Sequence, residues 1–304
     1  MKAPLHIVIF FVDGVGIGKK DPSVNPFFAS QLPMLQKLCG GELFHLKRKK
    51  ISTQLSEVRP VKATLGMPGL PQSGTGQTAL FAGVNGAKIF GRHFGPYPPT
   101  VLRKILQEKN IFLAFKQLGK SVIFANAFPQ PFFDYTSSGT QRIPALTYSC
   151  IVSDVPLLTV GNLISNSAIS ADLIRERWHE LGHPEVPRIA PFNAGNHLAQ
   201  LSKNYDLTIF EYFLTDRAGH QRDFHVAREI LEQLDQFLDG FFSDFDHSSS
   251  LFIMISDHGN IEDLSTKSHT RNDVPCILCG VQRKRLAKRI HSITDLTPAL
   301  LELY

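Results

Sequence analysis

Cysteine, tryptophan and long apolar runs are scarce in this 304-residue chain, and each scarcity removes a class of protein. The four cysteines, Cys39, Cys150, Cys276 and Cys279, are too few and too scattered to staple a chain of this size. Cys276 and Cys279 have CxxC spacing, but they lie inside VPCILCG, an apolar run that reads as a strand. Three residues apart on a strand, they face opposite ways and cannot converge on a zinc ion. No stretch approaches the roughly 20 apolar residues that cross a bilayer. The run from Leu5 to Val12 is far shorter and ends in Asp13-Gly14 with no small-residue cleavage site, so the expectation is cytoplasmic residence without a secretory leader. Internal repeats are missing, and low complexity is confined to Ser248-Ser249-Ser250.

What is present is the composition of a packed chain: hydrophobic residues at 43 % and charged residues at 19 % exclude wholesale disorder. The net charge of +5 suits a small anionic substrate. The basic runs Lys47-Arg48-Lys49-Lys50 and Arg283-Lys284-Arg285 with Lys288-Arg289 read as solvated faces, so neither nucleic acid nor membrane is expected as a partner. Nothing in the composition bears on the oligomeric state.

Three apolar runs, Ile7 to Val12, Leu207 to Leu214 and Leu251 to Ile255, lack the alternation of a half-exposed strand and read as strands buried on both faces. Ser121 to Asn126 and Val274 to Cys279 read as two more. Helical periodicity marks Val101 to Leu118, Ala171 to Leu181, Phe224 to Phe242 and Leu296 to Leu303. Strands alternating with helices predict an α/β sandwich with a parallel sheet. Residues 128–200 differ, with seven prolines from Pro129 to Pro191 and an aromatic patch at Phe128, Phe132, Phe133 and Tyr135, and predict a small cap or insertion.

Each of the three buried runs is followed at or near its end by an aspartate: Asp13, Asp216 and Asp257. A parallel sheet gathers the carboxyl ends of its strands at one edge, where such folds place ligands. A lone aspartate there is commonly a helix cap. Three of them, with His220 four residues after Asp216, His258 directly after Asp257 and His269 before the next strand, form a donor set too large for one tetrahedral zinc and suited to two metals. In PQSGTGQTALFAG a Gly-rich turn opens an apolar helix, placing Ser73 either as its cap or as a nucleophile at a helix N-terminus. The glycines of DGVGIG lack the dinucleotide spacing, and the preceding aspartate opposes a pyrophosphate.

FVDGVG, the SGTG around Ser73, TDRAGH, SDHGNIED and KSHTRNDVP, closing on ITDLTPALLEL, resemble in order and spacing the alkaline phosphatase superfamily. Within it they are most similar to the metalloenzyme branch of cofactor-independent phosphoglycerate mutase and phosphopentomutase. The C-terminal third carries most of the resemblance and residues 86–201 the least. It implies an alkaline phosphatase-like three-layer α/β sandwich with a mostly parallel central sheet, one domain over residues 1–304 with the small insertion inside it. It also implies two divalent ions, Mn²⁺ or Zn²⁺, one among Asp13, Ser73, Asp257 and His258, the other among Asp216, His220 and His269. Ser73 is then the nucleophile, with Thr75 in reserve.

Two departures stand out: Gln77 where those mutases carry a histidine, and Gly74 where an acidic residue often adjoins their serine. The chain between Ser73 and Asp216 is also short for their inserted transferase domain, and a mutase must shield its intermediate from water. The expected activity is therefore a phosphomonoester hydrolase working through a phosphoserine on a small phosphorylated substrate. A phosphomutase and a non-catalytic phosphate-binding protein are the alternatives. Lys88, Arg92 and His93 are candidate contacts for the substrate phosphate.

Overall fold

The computed structural model describes residues 5–139 and 142–304. Seven strands form one sheet: β1 His6–Val12, β2 Ile51–Ser52, β3 Ser56–Val61, β4 Val122–Phe124, β5 Leu207–Tyr212, β6 Ser250–Ile255 and β7 Val274–Gly280. Their order is β2-β3-β7-β6-β1-β5-β4. The four strands β6, β1, β5 and β4 are parallel, and β7 and β2 run antiparallel to their neighbours. The sheet is thus mostly parallel, with β6 at its centre and β1 beside it.

The centre is where the apolar runs fall, and the reason is visible along β1. Val8, Phe10 and Val12 enter one core with Phe237, Leu238 and Phe241, while Ile7, Ile9 and Phe11 enter a second with Leu80, Phe81 and Phe115. Both faces are covered, so Ile7 to Val12 are all apolar. Burying each such side chain contributes roughly 1.5–3 kcal/mol. Cys279 and Cys276 lie in the first and second cores respectively, on opposite sides of the sheet as their spacing predicts.

Five helices position the rest: α1 Ser73–Ala82, α2 Ala145–Val152, α3 Pro191–Ser202, α4 Leu214–Gln221 and α5 Phe224–Ser243. Helix α5 packs with α3 on one face of the sheet, and α1 and α2 pack together on the other. The expected insertion is heterogeneous. Its α2 and α3 join these layers, while Leu163, Ala168, Trp178 and Val186 gather with Ala127 in a small cluster of their own.

Several expectations need correction. The helix expected over Val101 to Leu118 is two helices, Thr100–Glu108 and Ile111–Gln117, because Asn110 caps the second by accepting from Leu113 N at 3.0 Å. Only Arg177–Glu180 of the expected Ala171 to Leu181 is helical, since Leu173 and Arg175 adopt positive φ. Strands β2 and β3 carry no sequence signal, with Arg59 and Pro60 interrupting β3 near the sheet's edge. The basic runs are partly tied to the protein itself: Lys49 pairs with Asp273 at 3.0 Å and Arg283 donates to Gln54 O at 2.8 Å. No helix among the described residues is long and apolar enough to cross a membrane.

Candidate metal centre

Asp13 follows the last residue of β1, Asp257 comes two residues after β6, and Asp216 occupies the first turn of α4 beyond β5. The three parallel strands deliver them to one edge. His258 rides with Asp257, and His220, one helical turn after Asp216, shares its face of α4. Since β7 is antiparallel, the segment before it reaches the same edge and brings His269.

The donor atoms converge. Those of Asp13, Asp257 and His258 lie within 4.8 Å of one another, as do those of Asp216, His258 and His269. His258 Nε2 is 3.3 Å from Asp13 Oδ1 and 3.5 Å from Asp257 Oδ2. His269 Nε2 is 3.5 Å from Asp216 Oδ1, and the His258 and His269 rings stack with centroids 3.7 Å apart. His220 stands at the rim with its side chain 47 % exposed, its Nε2 3.3 Å from Asp216 Oδ2 and 3.1 Å from His269 Nε2. The six residues therefore meet, with His258 between the two groups.

Ser73 is not the cap of α1. Gln72 holds that position, which leaves the Ser73 hydroxyl at the first helical residue, 2.9 Å from His258 Nε2. Thr75 is otherwise engaged, donating to Gln72 O at 3.0 Å and accepting from Phe94 N at 3.3 Å. Gly74 is required by crowding: a Cβ there would lie 2.5 Å from Tyr97 O, so this chain has no room for an acidic neighbour of Ser73. Gln77 is buried, with Nε2 3.5 Å from Asp13 Oδ2. The amides of the DGVGIG turn are taken by the protein's own side chains, Val15 N by Ser256 Oγ and Gly16 N by Glu262 Oε2, both at 2.9 Å.

These residues fit divalent cations on their own chemistry. Asp13 Oδ1 and both carboxylate oxygens of Asp257 are buried without a hydrogen-bond partner, an arrangement that carboxylates tolerate only near positive charge. His269 Nδ1 donates to Pro71 O at 2.7 Å and His220 Nδ1 to Lys267 O at 3.0 Å. In neutral rings those protons leave both Nε2 lone pairs facing each other and Asp216, and a cation between them resolves the conflict.

The titrations express the same tension. Burial, then the charges of Asp257, Asp216 and Glu211, raise the Asp13 carboxyl well above its ordinary range. Burial pushes Glu211, on β5, to about 8, with Asp257 adding to the effect. Burial alone would raise Asp216, but hydrogen bonds from His220 and His269 outweigh it and hold that carboxyl far below normal. The bond to Asp216 raises His220, and at His269 it overcomes the lowering by burial. Burial keeps His258 below the usual imidazole value.

Asp13, Ser73, Asp216 and His220 open into a cavity of about 740 Å³. Lys88, Arg92 and His93 do not line it. Arg92 and His93 border a separate depression beside Gly69, and Lys88 is exposed on the helix Gly86–Phe90. The cavity instead holds Arg177, Arg217 and Glu211, which sequence reasoning missed. Arg217 lies inside TDRAGH, but Arg177 had no local signal. Asn260, in SDHGN, donates to Asp216 Oδ1 at 2.6 Å and orients that carboxylate.

Residues 193–301 match the model of the Metalloenzyme superfamily. The chain is similar to the 2,3-bisphosphoglycerate-independent phosphoglycerate mutase of Nitrosococcus oceani, 31 % identical over 109 residues that make up 34 % of this chain and 21 % of that protein. The corresponding protein of Ehrlichia canis is 27 % identical over 108 residues, 33 % of this chain and 21 % of that one. The matched stretch is thus about a fifth of these relatives' length; residues 193–301, matched by the family model, contain Asp216, His220, Asp257, His258 and His269. Among solved structures, the chain is similar to the PH0037 protein from Pyrococcus horikoshii, with a TM-score of 0.57 at 13 % identity covering 100 % of this chain and 97 % of that one. It is also similar to alkaline phosphatase from the Antarctic bacterium TAB5, with a TM-score of 0.50 at 11 % identity covering 99 % and 98 %. These findings bear out the resemblance to the metalloenzyme branch of the alkaline phosphatase superfamily and the alkaline phosphatase-like fold.

Proposed function

We propose that this chain is a divalent-metal-dependent phosphoryl-transfer enzyme in which Ser73 takes the phosphoryl group from a small phosphomonoester and water then removes it. The observation that carries the reading is the Ser73 hydroxyl, hydrogen-bonded to His258 Nε2 at 2.9 Å at the edge where the carboxylates and imidazoles converge.

Asp13, Ser73, Asp257 and His258 would hold one ion and Asp216, His220 and His269 the other, with Mn²⁺ or Zn²⁺ both compatible with mixed carboxylate and imidazole donors. When bound, such ions supply Lewis acidity, lowering the pKa of a hydroxyl and neutralising phosphoryl oxygens. The chain supplies the rest. The N-terminus of α1 turns its partial positive charge toward the oxygens of a phosphoryl group at Ser73. Arg177 and Arg217 line the same cavity, and neither guanidinium has a partner among the described residues, so both are available to an anionic substrate. Ser73 Oγ gives up its proton and bonds to phosphorus as the phosphorus–ester oxygen bond breaks, and the departing oxygen takes up a proton to leave as the alcohol. Water then attacks the phosphoserine, restoring Ser73 and releasing inorganic phosphate.

Hydrolysis is favoured by access, because the exposed rim at His220 admits water. A second reading, return of the phosphoryl group to another oxygen of the same substrate, is supported by the relatives named as phosphoglycerate mutases. The two separate in one assay: the protein loaded with Mn²⁺ or Zn²⁺ is incubated with phosphate monoesters, including 3-phosphoglycerate, and free phosphate and isomerised ester are both measured. Release of phosphate with a phosphorylated Ser73 peptide is expected. Isomerisation without release favours the mutase, and neither product with either metal rejects phosphoryl transfer.

A further inference from the structure

We infer that the alcohol portion of the substrate is a bulky, ring-bearing apolar group, received by a wall of the cavity formed by Tyr97, Phe128, Phe132, Trp178, Leu181 and Phe213. This inference rests on the phosphoryl-transfer reading and adds the substrate class to it.

Size is the first argument. The cavity of about 740 Å³ falls among pockets of roughly 300–1,000 Å³ that enclose drug-sized ligands, and a three-carbon phosphate ester would leave most of it empty. The second is the chemistry of the wall. Phe128 and Phe132 stack with centroids 4.5 Å apart and offer an aromatic surface on the helix Gln130–Ser137 and the chain before it. Leu181 and Phe213, 40 % and 38 % exposed, are large apolar side chains left uncovered at the same cavity. Apolar surface exposed in a group marks a binding site more often than apolar residues exposed singly.

The third argument is that several polar groups in this wall are already spoken for. Asn126 accepts from Glu211 N and donates to Glu211 O, both at 2.8 Å. Trp178 Nε1 donates to Ser170 Oγ at 2.8 Å, and Asp172 accepts from the backbone of Arg175 and Arg177 at 2.9 Å. With Arg177 and Arg217 assigned to the phosphate, a sugar's hydroxyls laid against this wall would meet few open partners, and an unanswered buried hydroxyl is costly. An aromatic or fused-ring body asks for contact area alone.

Trp178 is the single tryptophan of the chain and lines the cavity, so binding reports itself. The test titrates Trp178 fluorescence with non-hydrolysable ethylphosphonate, benzylphosphonate and naphthylmethylphosphonate in the presence of Mn²⁺ or Zn²⁺. In parallel, kcat/KM is measured for the matching phosphate esters, whose alcohols are of similar acidity. The naphthylmethyl compounds are expected to bind and turn over about tenfold or more better than the ethyl ones. Phe132→Ala, at a half-buried position, should bring the series to within about threefold, and Phe213→Ala repeats the test at a second position.

Equal affinity across the series, or an unchanged preference in both variants, overturns the inference. Equal phosphate release from all esters overturns it while leaving the hydrolase reading intact. Tight naphthylmethylphosphonate binding with no release or isomerisation of any ester upholds the pocket and rejects the chemistry assigned to Ser73.

Discussion

On the face of the sheet covered by α3 and α5, the buried carboxylate is answered, Asp235 accepting from Met34 N at 3.0 Å and Leu35 N at 2.7 Å, and the polar atoms left without a partner, Thr208 Oγ1 and His197 Nδ1, carry no negative charge. There the two helices approach so closely that a Cβ at Gly240 would lie 1.8 Å from Phe192 O and one at Gly195 1.9 Å from Phe237 O. At the carboxyl edge of the same sheet, Asp13 Oδ1 and both Asp257 oxygens are buried with no hydrogen-bond partner. One region is closed by packing and the other is left electrostatically incomplete. The difference teaches where stability and chemistry reside: dense helix-on-sheet packing holds in place a polar cluster that would not persist by itself.

The contrast can be broken at either end. The largest effect is expected from Ser73→Ala, which removes the proposed nucleophile and should lower phosphate release by about 10³-fold or more, measured as kcat on a general ester. A residual rate within tenfold of wild type would move the nucleophile elsewhere. On the packed side, Gly240→Ala should cost roughly 3 kcal/mol or more, seen as a lower denaturant midpoint, because the new Cβ meets backbone and cannot be accommodated by a rotamer change. Divalent-ion binding by the fraction that remains folded should be unaltered, and loss of both together would mean the regions are not separable.

A smaller effect sharpens the contrast through pH. Glu211, pushed from its ordinary 4.5 to about 8, keeps a proton in the native protein that the unfolded chain has released. Native protein then binds more protons than unfolded chain between those values, so after chelation of divalent ions stability should fall as pH rises from about 4.5 to about 8. Asp13, also raised, and the raised His220 and His269 act in the same sense, while His258, kept neutral by burial, opposes them. Glu211→Gln should flatten the slope in thermal melts across this range, and an unchanged slope would remove Glu211 from the cluster's electrostatics.

The same division explains what could be read from the amino acids. Strands β1, β5 and β6 were legible because a strand covered on both faces is apolar along most of its length, Thr208 and Glu211 being the exceptions on β5, and His220 because spacing of four on a helix fixes a shared face. The loop around Asp172 was not. Ala171 to Leu181 has helical periodicity, but Asp172 accepts from Arg175 N and Arg177 N, and that local competition replaces the first helical turn. Arg177 reaches the cavity only through this loop, so no nearby residue announced it. Arg92 and His93, candidate phosphate contacts from the sequence, lie on another depression, because tertiary placement, not local composition, decides which cations line the cavity.

The most direct test of the central claim is a calorimetric titration of the chelated protein with Mn²⁺ and with Zn²⁺, run on the wild type and on Asp257→Asn and Asp216→Asn. The account predicts two ions per wild-type chain, with each variant losing one of the two binding events and the melting temperature of the wild type rising as ions are added. An absence of binding heat together with an unmoved melting temperature, or an undiminished stoichiometry in both variants, would contradict it.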